Sequence, residues 1–214
     1  RQAVEKGAAF VVSEREVDVP HAVTVVRVAD SRRALARMSA NFFGNPSREI
    51  RLIGVTGTSG KTTVTYLVES ILRSAGHAAA VIGTVNYRYG GKTVPAPNTT
   101  PESTDLQRLL REMAAAGVTH GVMEVSSHAL DLYRVHDCRF TAGVFTNLSQ
   151  DHLDFHRTME AYYESKRRFF KEILEGDRTR KIINGDDPWG RRFIEEFGDG
   201  VTVFGTAPDA TIRP

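Results

Sequence analysis

Ten consecutive residues constrain this chain more than any others: Gly54-Val55-Thr56-Gly57-Thr58-Ser59-Gly60-Lys61-Thr62-Thr63. The apolar run Leu52-Ile53-Gly54-Val55 leads into them and reads as a strand. Val64, Leu67, Val68, Ile71 and Leu72 follow at the spacing of one helical stripe, and Gly76 closes it. A strand that turns through glycines into a helix aims consecutive backbone N–H groups at one anion, with the positive end of the helix behind them. These residues therefore read as a phosphate-binding loop. Lys61 would reach the outer phosphates of a nucleotide and the Thr62 hydroxyl would ligate Mg2+. The spacing departs from the usual pattern: the residue five before Gly60 is Val55, so the loop reads Gly-x-x-Gly-Lys-Thr. A glycine-rich turn without a ligand is the competing reading, and the strand–helix frame argues against it.

The rest of the chain repeats that frame. From residue 50, strand and helix patterns alternate. Strand candidates centre on Leu52–Val55, Ala80–Gly83, Gly121–Val125, Ala142–Phe145, Lys181–Ile183 and Val201–Phe204. Their near-continuous apolar character suits a parallel sheet covered on both faces. The expected fold class is α/β, a mostly parallel sheet with helices on both faces, plus part of a small N-terminal α/β domain. Gly90-Gly91 suits a hairpin between Tyr87 and Lys92. A helix is expected with Thr100 as N-cap, Pro101 as its first residue and Gly117 at its end. Residues 1–49 read as a short α/β piece. Its buried strands would be Ala8–Val12 and Val23–Val28, and its helix from about Ser31 would carry Leu35, Met38 and Phe42 on one face. Gly44-Asn45-Pro46-Ser47 is the candidate boundary, dividing 1–49 from 50–214. Arg1 at the start and a strand and loop just before Pro214 make both ends read as cut, so a fragment of a longer protein is expected.

Composition excludes several classes. Of the 214 residues 41% are hydrophobic and 25% charged, an ordinary globular balance that argues against disorder. Lys and Arg total 28 against 26 Asp and Glu, so no concentrated basic face for nucleic acid is expected, and Lys166-Arg167-Arg168 is too short to supply one. No apolar run approaches the ~18 residues of a membrane span, and the start does not read as a signal peptide. The single Cys138 cannot form an internal disulfide, which points to a reducing cytoplasm.

Ligands of open parallel sheets collect beyond the carboxyl ends of the strands. Two candidate strands end there in polar clusters, Glu124-Val125-Ser126-Ser127-His128 and Thr146-Asn147-Leu148-Ser149-Gln150-Asp151-His152. A carboxylate such as Glu124 inside an apolar strand is costly without a partner. Mg2+ is the simplest partner and a buried Arg the alternative. His128, His152 and His156 lie near strand ends, whereas His21, His77, His120 and His136 read as ordinary packed or surface residues. In the helix expected from about Thr158 to Glu175, Met159, Tyr162, Tyr163, Phe170 and Ile173 share one face at offsets 0, 3, 4, 11 and 14, and offset 7 on that face is Lys166. Arg167, Arg168 and Lys171 point elsewhere as solvated charges. Either Lys166 snorkels to the helix edge, or it is drawn into the site. A desolvated amine sheds its proton more readily and can then add CO2 as a carbamate, an oxygen ligand for a second Mg2+. Spacing alone leaves both readings open.

Gly57–Thr63, Glu124–His128, Thr146–Asp154 and Asn184-Gly185-Asp186-Asp187 together resemble the Mur ligase family in order and spacing. Pro97-Asn98-Thr99-Thr100-Pro101 and Arg134 are most similar to the branch that extends UDP-MurNAc-L-Ala-D-Glu. The resemblance implies an ATP-dependent amide ligase of peptidoglycan synthesis that adds diaminopimelate or lysine through an acyl phosphate. Gly57, Thr58, Ser59, Gly60, Lys61, Thr62 and Thr63 would hold ATP, with Asn147 and Asn184 near the nucleotide. Thr62, Glu124, His152 and Lys166 would hold two Mg2+ ions, Lys166 as its CO2 carbamate. Lys61, Lys166 and His152 would be the catalytic group, and Asn98, Thr99, Thr100, Ser126 and Arg134 would hold UDP-MurNAc-L-Ala-D-Glu. The pattern departs at Leu132, where some members carry Gln. Residues 1–49 would be the tail of a UDP-substrate domain and 50–214 most of the central ATP-binding domain. The amino-acid-binding domain would be absent, leaving the fragment inactive alone, and a monomer is expected. Another Mur ligase, a folylpolyglutamate-synthetase-like ligase, or a P-loop kinase or regulatory NTPase are the alternatives.

Overall fold

A computed structural model describes residues 2–174 and 180–214. In chain order its elements are α1 (Gln2–Glu5), β1 (Phe10–Ser13), β2 (Thr24–Arg27), α2 (Ser31–Phe42), β3 (Arg51–Thr56), α3 (Lys61–Ser74), β4 (Ala79–Ile82), β5 (Asn86–Tyr89) and β6 (Lys92–Pro95). They continue with α4 (Ser103–Ala115), β7 (His120–Glu124), α5 (Ser127–Asp131), β8 (Phe140–Phe145), α6 (Leu153–His156), α7 (Met159–Arg168), β9 (Arg180–Asn184), α8 (Pro188–Phe197) and β10 (Val201–Phe204).

The apolar strands form an eight-stranded sheet in the order β10-β9-β8-β3-β7-β4-β5-β6. The first six run parallel and the β5–β6 hairpin closes the edge antiparallel. Gly90 and Gly91 at its tip have φ of 51° and 80°, as a two-residue hairpin turn demands. Alternation along the strands separates two layers. Val55, Val122 and Val144 pack with Val64, Val68 and Leu72 of α3. The other face packs with Leu106, Leu110 and Met113 of α4, Tyr162 and Tyr163 of α7, and Phe193 of α8. The α/β architecture with helices on both faces is thus present. Cys138 is a buried core residue whose thiol is pushed up to about 12 by burial. Among the described residues no helix is long and apolar enough to cross a membrane.

Several local expectations are corrected. β1 and β2 are not buried. They form a two-stranded parallel sheet of their own with half-exposed and exposed residues, because two short strands cannot bury both of their faces. α2 turns its large residues outward: Leu35, Met38 and Phe42 are exposed, while Ala36, Ser39 and Ala40 are buried. Small residues let α2 approach α4 closely enough for Ser39 and Thr104 hydroxyls to bond at 2.8 Å. In α3 only Val64, Val68 and Leu72 of the expected stripe face the sheet, and Leu67 and Ile71 are exposed. α4 starts at Ser103 with Glu102 before it, so Thr100 is no N-cap. Thr158, by contrast, caps α7, its hydroxyl accepting from the Ala161 amide at 3.1 Å.

α7 continues into one wider, π-type turn, Phe169–Ile173. Glu175, the last residue of the expected helix, lies outside the described residues. The extra residue in the turn delivers Phe169 and Phe170 fully buried onto the sheet. Space for Phe169 comes from two strand glycines. A Cβ at Gly54 would stand 2.4 Å from its ring, and one at Gly143 would stand 2.7 Å from it and 2.2 Å from Leu174. Gly143→Ala is therefore expected to destabilise the fold by about 1–3 kcal/mol. The corresponding loss of Tm, roughly 2–10 °C, can be read in a thermal melt.

Candidate active site

The carboxyl ends of β3, β4, β7, β8 and β9 converge on the turn between β3 and α3. Gly57 has φ of +150° and Gly60, preceding α3, has φ of +83°, conformations that other residues reach only with strain. The loop is held from below by the segment after β8. The Thr58 amide donates to the Asn147 carbonyl at 2.9 Å, and the Ser59 amide to Asn147 Oδ1 at 2.9 Å. Asn147 Nδ2 and Thr146 Oγ1 both donate to the Ser59 carbonyl, at 3.1 and 2.7 Å. Asn184 at the end of β9 donates to the Thr146 carbonyl at 2.8 Å, so it buttresses the buttress. The first amides of α3 have no intrahelical partner, as at every helix start, and remain the donor set for an anion. Thr63, in that first turn, is exposed.

Two lysines meet at one carbonyl. Lys61 Nζ donates to the Gly57 and Thr58 carbonyls at 2.9 and 2.8 Å. Lys166 Nζ donates to the same Gly57 carbonyl at 3.0 Å, from a side chain that is 1% exposed. This excludes the snorkelling reading: the amine points at the glycine turn. Burial, and then the neighbouring Lys61 ammonium, push Lys166 well below the ordinary lysine range. Burial also lowers Lys61, opposed by Glu124 and Asp151.

Glu124 ends β7 at 1% exposure without an arginine partner among the described residues. Its Oε1 accepts from Thr62 Oγ1 at 2.9 Å and from the Thr84 amide at 2.9 Å, and its Oε2 from Thr84 Oγ1 at 3.0 Å. Hydroxyl and carboxylate oxygens of Thr62 and Glu124 thus lie side by side, a donor pair that suits a hard cation. His152 stands apart from them. It is exposed, has φ of 53°, and meets the Asp151 carboxylate at 3.4 Å and the His128 ring at 5.0 Å. No hydrogen bond joins it to Thr62, Glu124 or Lys166, and among the described residues no three His, Cys, Asp or Glu side chains are grouped to hold a metal. His156 is buried, its Nε2 2.8 Å from Ser127 Oγ, and burial lowers its pKa.

The expected substrate residues form a second group beside Glu124. Thr100 Oγ1 donates to the Glu124 carbonyl at 2.8 Å and accepts from the Ser126 amide at 3.1 Å. Ser126 caps α5, accepting from the Ala129 amide at 3.2 Å. Arg134 donates to the Thr100 carbonyl at 3.0 Å and pairs with Glu102 at 2.6 Å. Thr99 Oγ1 lies 3.0 Å from Thr84 Oγ1, and the Asn98 carbonyl accepts from the Tyr87 hydroxyl. Thr84 also joins the two groups, through the Glu124 carboxylate and Thr99, and no sequence reading singled it out. Its signal was its place directly after the β4 run, at the carboxyl end of a parallel strand. Asp187, quoted in the Asn184–Asp187 motif without a role of its own, caps α8 and accepts from the Leu148 amide at 3.1 Å.

Known proteins resemble this chain in sequence and in fold. The Mur ligase middle domain family matches residues 55–213. The UDP-N-acetylmuramoyl-L-alanyl-D-glutamate–2,6-diaminopimelate ligase of Geobacter metallireducens is 50% identical over 213 residues, 98% of this chain and 42% of that protein. The ligase of the same name from Aquifex aeolicus is 45% identical over 212 residues, 99% of this chain and 43% of that protein. A solved structure of a ligase of that name superposes with a TM-score of 0.83 at 30% identity, over 99% of this chain and 43% of its own. A Mycobacterium tuberculosis folylpolyglutamate synthase shares the fold at a TM-score of 0.65 and 17% identity, over 81% of this chain and 47% of its own. The chain thus spans about two fifths of the length of the curated relatives it matches. A family match running from residue 55 to residue 213 around this loop makes the chain a member of the Mur ligase family.

Proposed function

We propose that this chain is the ATP-binding core of a longer ligase that joins diaminopimelate or lysine to UDP-MurNAc-L-Ala-D-Glu. Residues 1–49 would belong to the UDP-substrate domain and 50–214 to the central domain. The observation that carries the reading is the buried Lys166 amine held on the Gly57 carbonyl of the phosphate loop. A phosphate loop alone serves many reactions. A second, desolvated lysine turned onto that loop would, as its carbamate, suit a reaction that needs an anionic ligand there.

The proposed reaction brings two anions together. A carboxylate oxygen of the substrate attacks the γ-phosphorus of ATP and ADP leaves. The amine of the incoming amino acid then attacks the acyl carbon, phosphate leaves, and the nitrogen loses a proton. Mg2+, when bound, supplies positive charge between carboxylate and triphosphate. The chain's own residues do the rest. The α3 amides and Lys61 orient the phosphates. Thr62 and Glu124 offer adjacent oxygens to one ion. Lys166 would take up CO2 with loss of a proton and offer carbamate oxygens to a second, with His152 brought in from beside Asp151. Asn98, Thr99, Thr100, Ser126 and Arg134 would hold the UDP-MurNAc-L-Ala-D-Glu chain.

Ligation assayed in the full-length protein, with UDP-MurNAc-dipeptide or folate as acceptor and diaminopimelate or lysine as donor, tests the reading. Amide formation on the UDP-MurNAc acceptor is expected. Phosphate release indifferent to added amino acid would mark a kinase or NTPase instead. Thr62→Ala is expected to weaken Mg2+-dependent ADP binding roughly tenfold or more while leaving metal-free binding nearly unchanged, as read by calorimetry. An unaltered Mg2+ dependence would remove Thr62 from the ion site.

A further inference from the structure

Tyr162 reads from sequence as one more apolar residue of the α7 core stripe. The structure gives it different company. Its side chain is fully buried, and its hydroxyl lies 3.3 Å from Thr58 Oγ1 in the phosphate loop. Lys166 Nζ sits over its ring, 4.5 Å from the centroid. The His156 imidazole stacks on it at 4.7 Å and 22°, and the His152 ring meets it edge-on at 6.0 Å. One side chain therefore touches the loop, the buried lysine and the histidine pair. A phenylalanine would fill the same space, so the hydroxyl is not explained by packing; a buried tyrosine hydroxyl is retained where it has a partner.

We infer that Tyr162 is a positioning residue, whose ring holds the Lys166 amine on the Gly57 carbonyl and shuts water away from it, while its hydroxyl fixes Thr58 of the loop. The inference deepens the functional reading above and rests on its assignment of Lys166. The ring performs two tasks through one geometry. Its face attracts the amine that lies over it, and its bulk forms an apolar wall between that nitrogen and solvent, both side chains being 1% exposed. α7 places Tyr162 and Lys166 four residues apart, one helical turn, so wall and amine move together. Ser165 between them donates to the Ser127 carbonyl at 3.0 Å, which anchors that turn to α5.

The test separates ring from hydroxyl. In the full-length protein, acetylation of Lys166 by acetic anhydride is followed by peptide mass spectrometry, and Mg2+-ADP affinity by calorimetry. Tyr162→Phe is expected to keep Lys166 labelling within about twofold of the parent and to weaken Mg2+-ADP binding about two- to tenfold, the worth of one hydrogen bond. Tyr162→Leu is expected to raise Lys166 labelling roughly tenfold or more by opening the wall. Should Tyr162→Leu fail to fold by circular dichroism, Tyr162→Met takes its place. Labelling that is equal in the parent and in the variant lacking the ring, or raised as much by Tyr162→Phe, overturns the inference. A bicarbonate-dependent mass gain at Lys166 of the parent tests the carbamate separately. Its failure would remove the carbamate reading, and the labelling pattern would still decide the role of Tyr162.

Discussion

Lys166→Ala in the full-length protein is expected to lower the proposed ligation roughly a thousandfold or more while Mg2+-ADP binding stays within about threefold. The split follows from what the amine touches. Its hydrogen-bond partner is the Gly57 carbonyl, whereas the groups proposed to hold the phosphates are the first amides of α3 and Lys61. Removing the amine therefore spares nucleotide affinity. It also relieves the crowding of two basic groups on one carbonyl, since Lys61 donates to that carbonyl as well. What disappears is the group that could become an anion at this depth. Lys166→Met serves as the volume control, because it fills the space without any titratable nitrogen. Acetate added to Lys166→Ala should restore part of the activity by entering the vacated volume with a carboxylate. Ligation at the parent rate in both variants would sink the assignment of Lys166.

Gly57→Ala should have the second large effect, loss of nucleotide binding by roughly a hundredfold or more with about 2–4 kcal/mol of destabilisation. Its Cβ would stand 2.0 Å from Thr146 Oγ1 and 3.0 Å from the Asn147 carbonyl oxygen, at a φ of +150°. Thr146 and Asn147 are the residues that hold the Ser59 carbonyl and amide. The methyl group would therefore displace the supports of the loop as well as strain its backbone. The acceptor shared by both lysines would shift with it. Calorimetry with Mg2+-ADP and a thermal melt check the two halves. Parent-like affinity at parent-like Tm would mean that the turn tolerates a wider frame than its contacts indicate.

The loop was legible because everything it needs is local: glycines, Lys61 and Thr62 follow one another between two periodic segments. Lys166 was legible as an anomaly because helical periodicity assigns a face without knowing what lies opposite. What lies opposite is tertiary information, and there the sequence pattern misled. Leu35, Met38 and Phe42 look like a core stripe, yet the packed face of α2 is the small one, Ala36, Ser39 and Ala40. Thr100 followed by Pro101 has the form of a helix start, but its hydroxyl bonds to the Glu124 carbonyl instead. Thr84 had only its place after the β4 run to mark it; its partner Glu124 depends on β4 and β7 being neighbours. The sequence groups His152 with Thr62, Glu124 and Lys166, whereas its side chain meets Asp151 and the His128 ring.

The notch formed by Gly54 and Gly143 places a mechanical constraint behind the chemistry. Phe169, seated in it, is three residues from Lys166 on a continuous helical run, and Gly54 belongs to the strand that leads into the loop. A substituent in the notch would push on both ends of the Lys166–Gly57 hydrogen bond at once. Natural variants there would impair turnover without meeting any reactant, and kinetic surveys of distant core positions would trace their losses back to a misplaced amine.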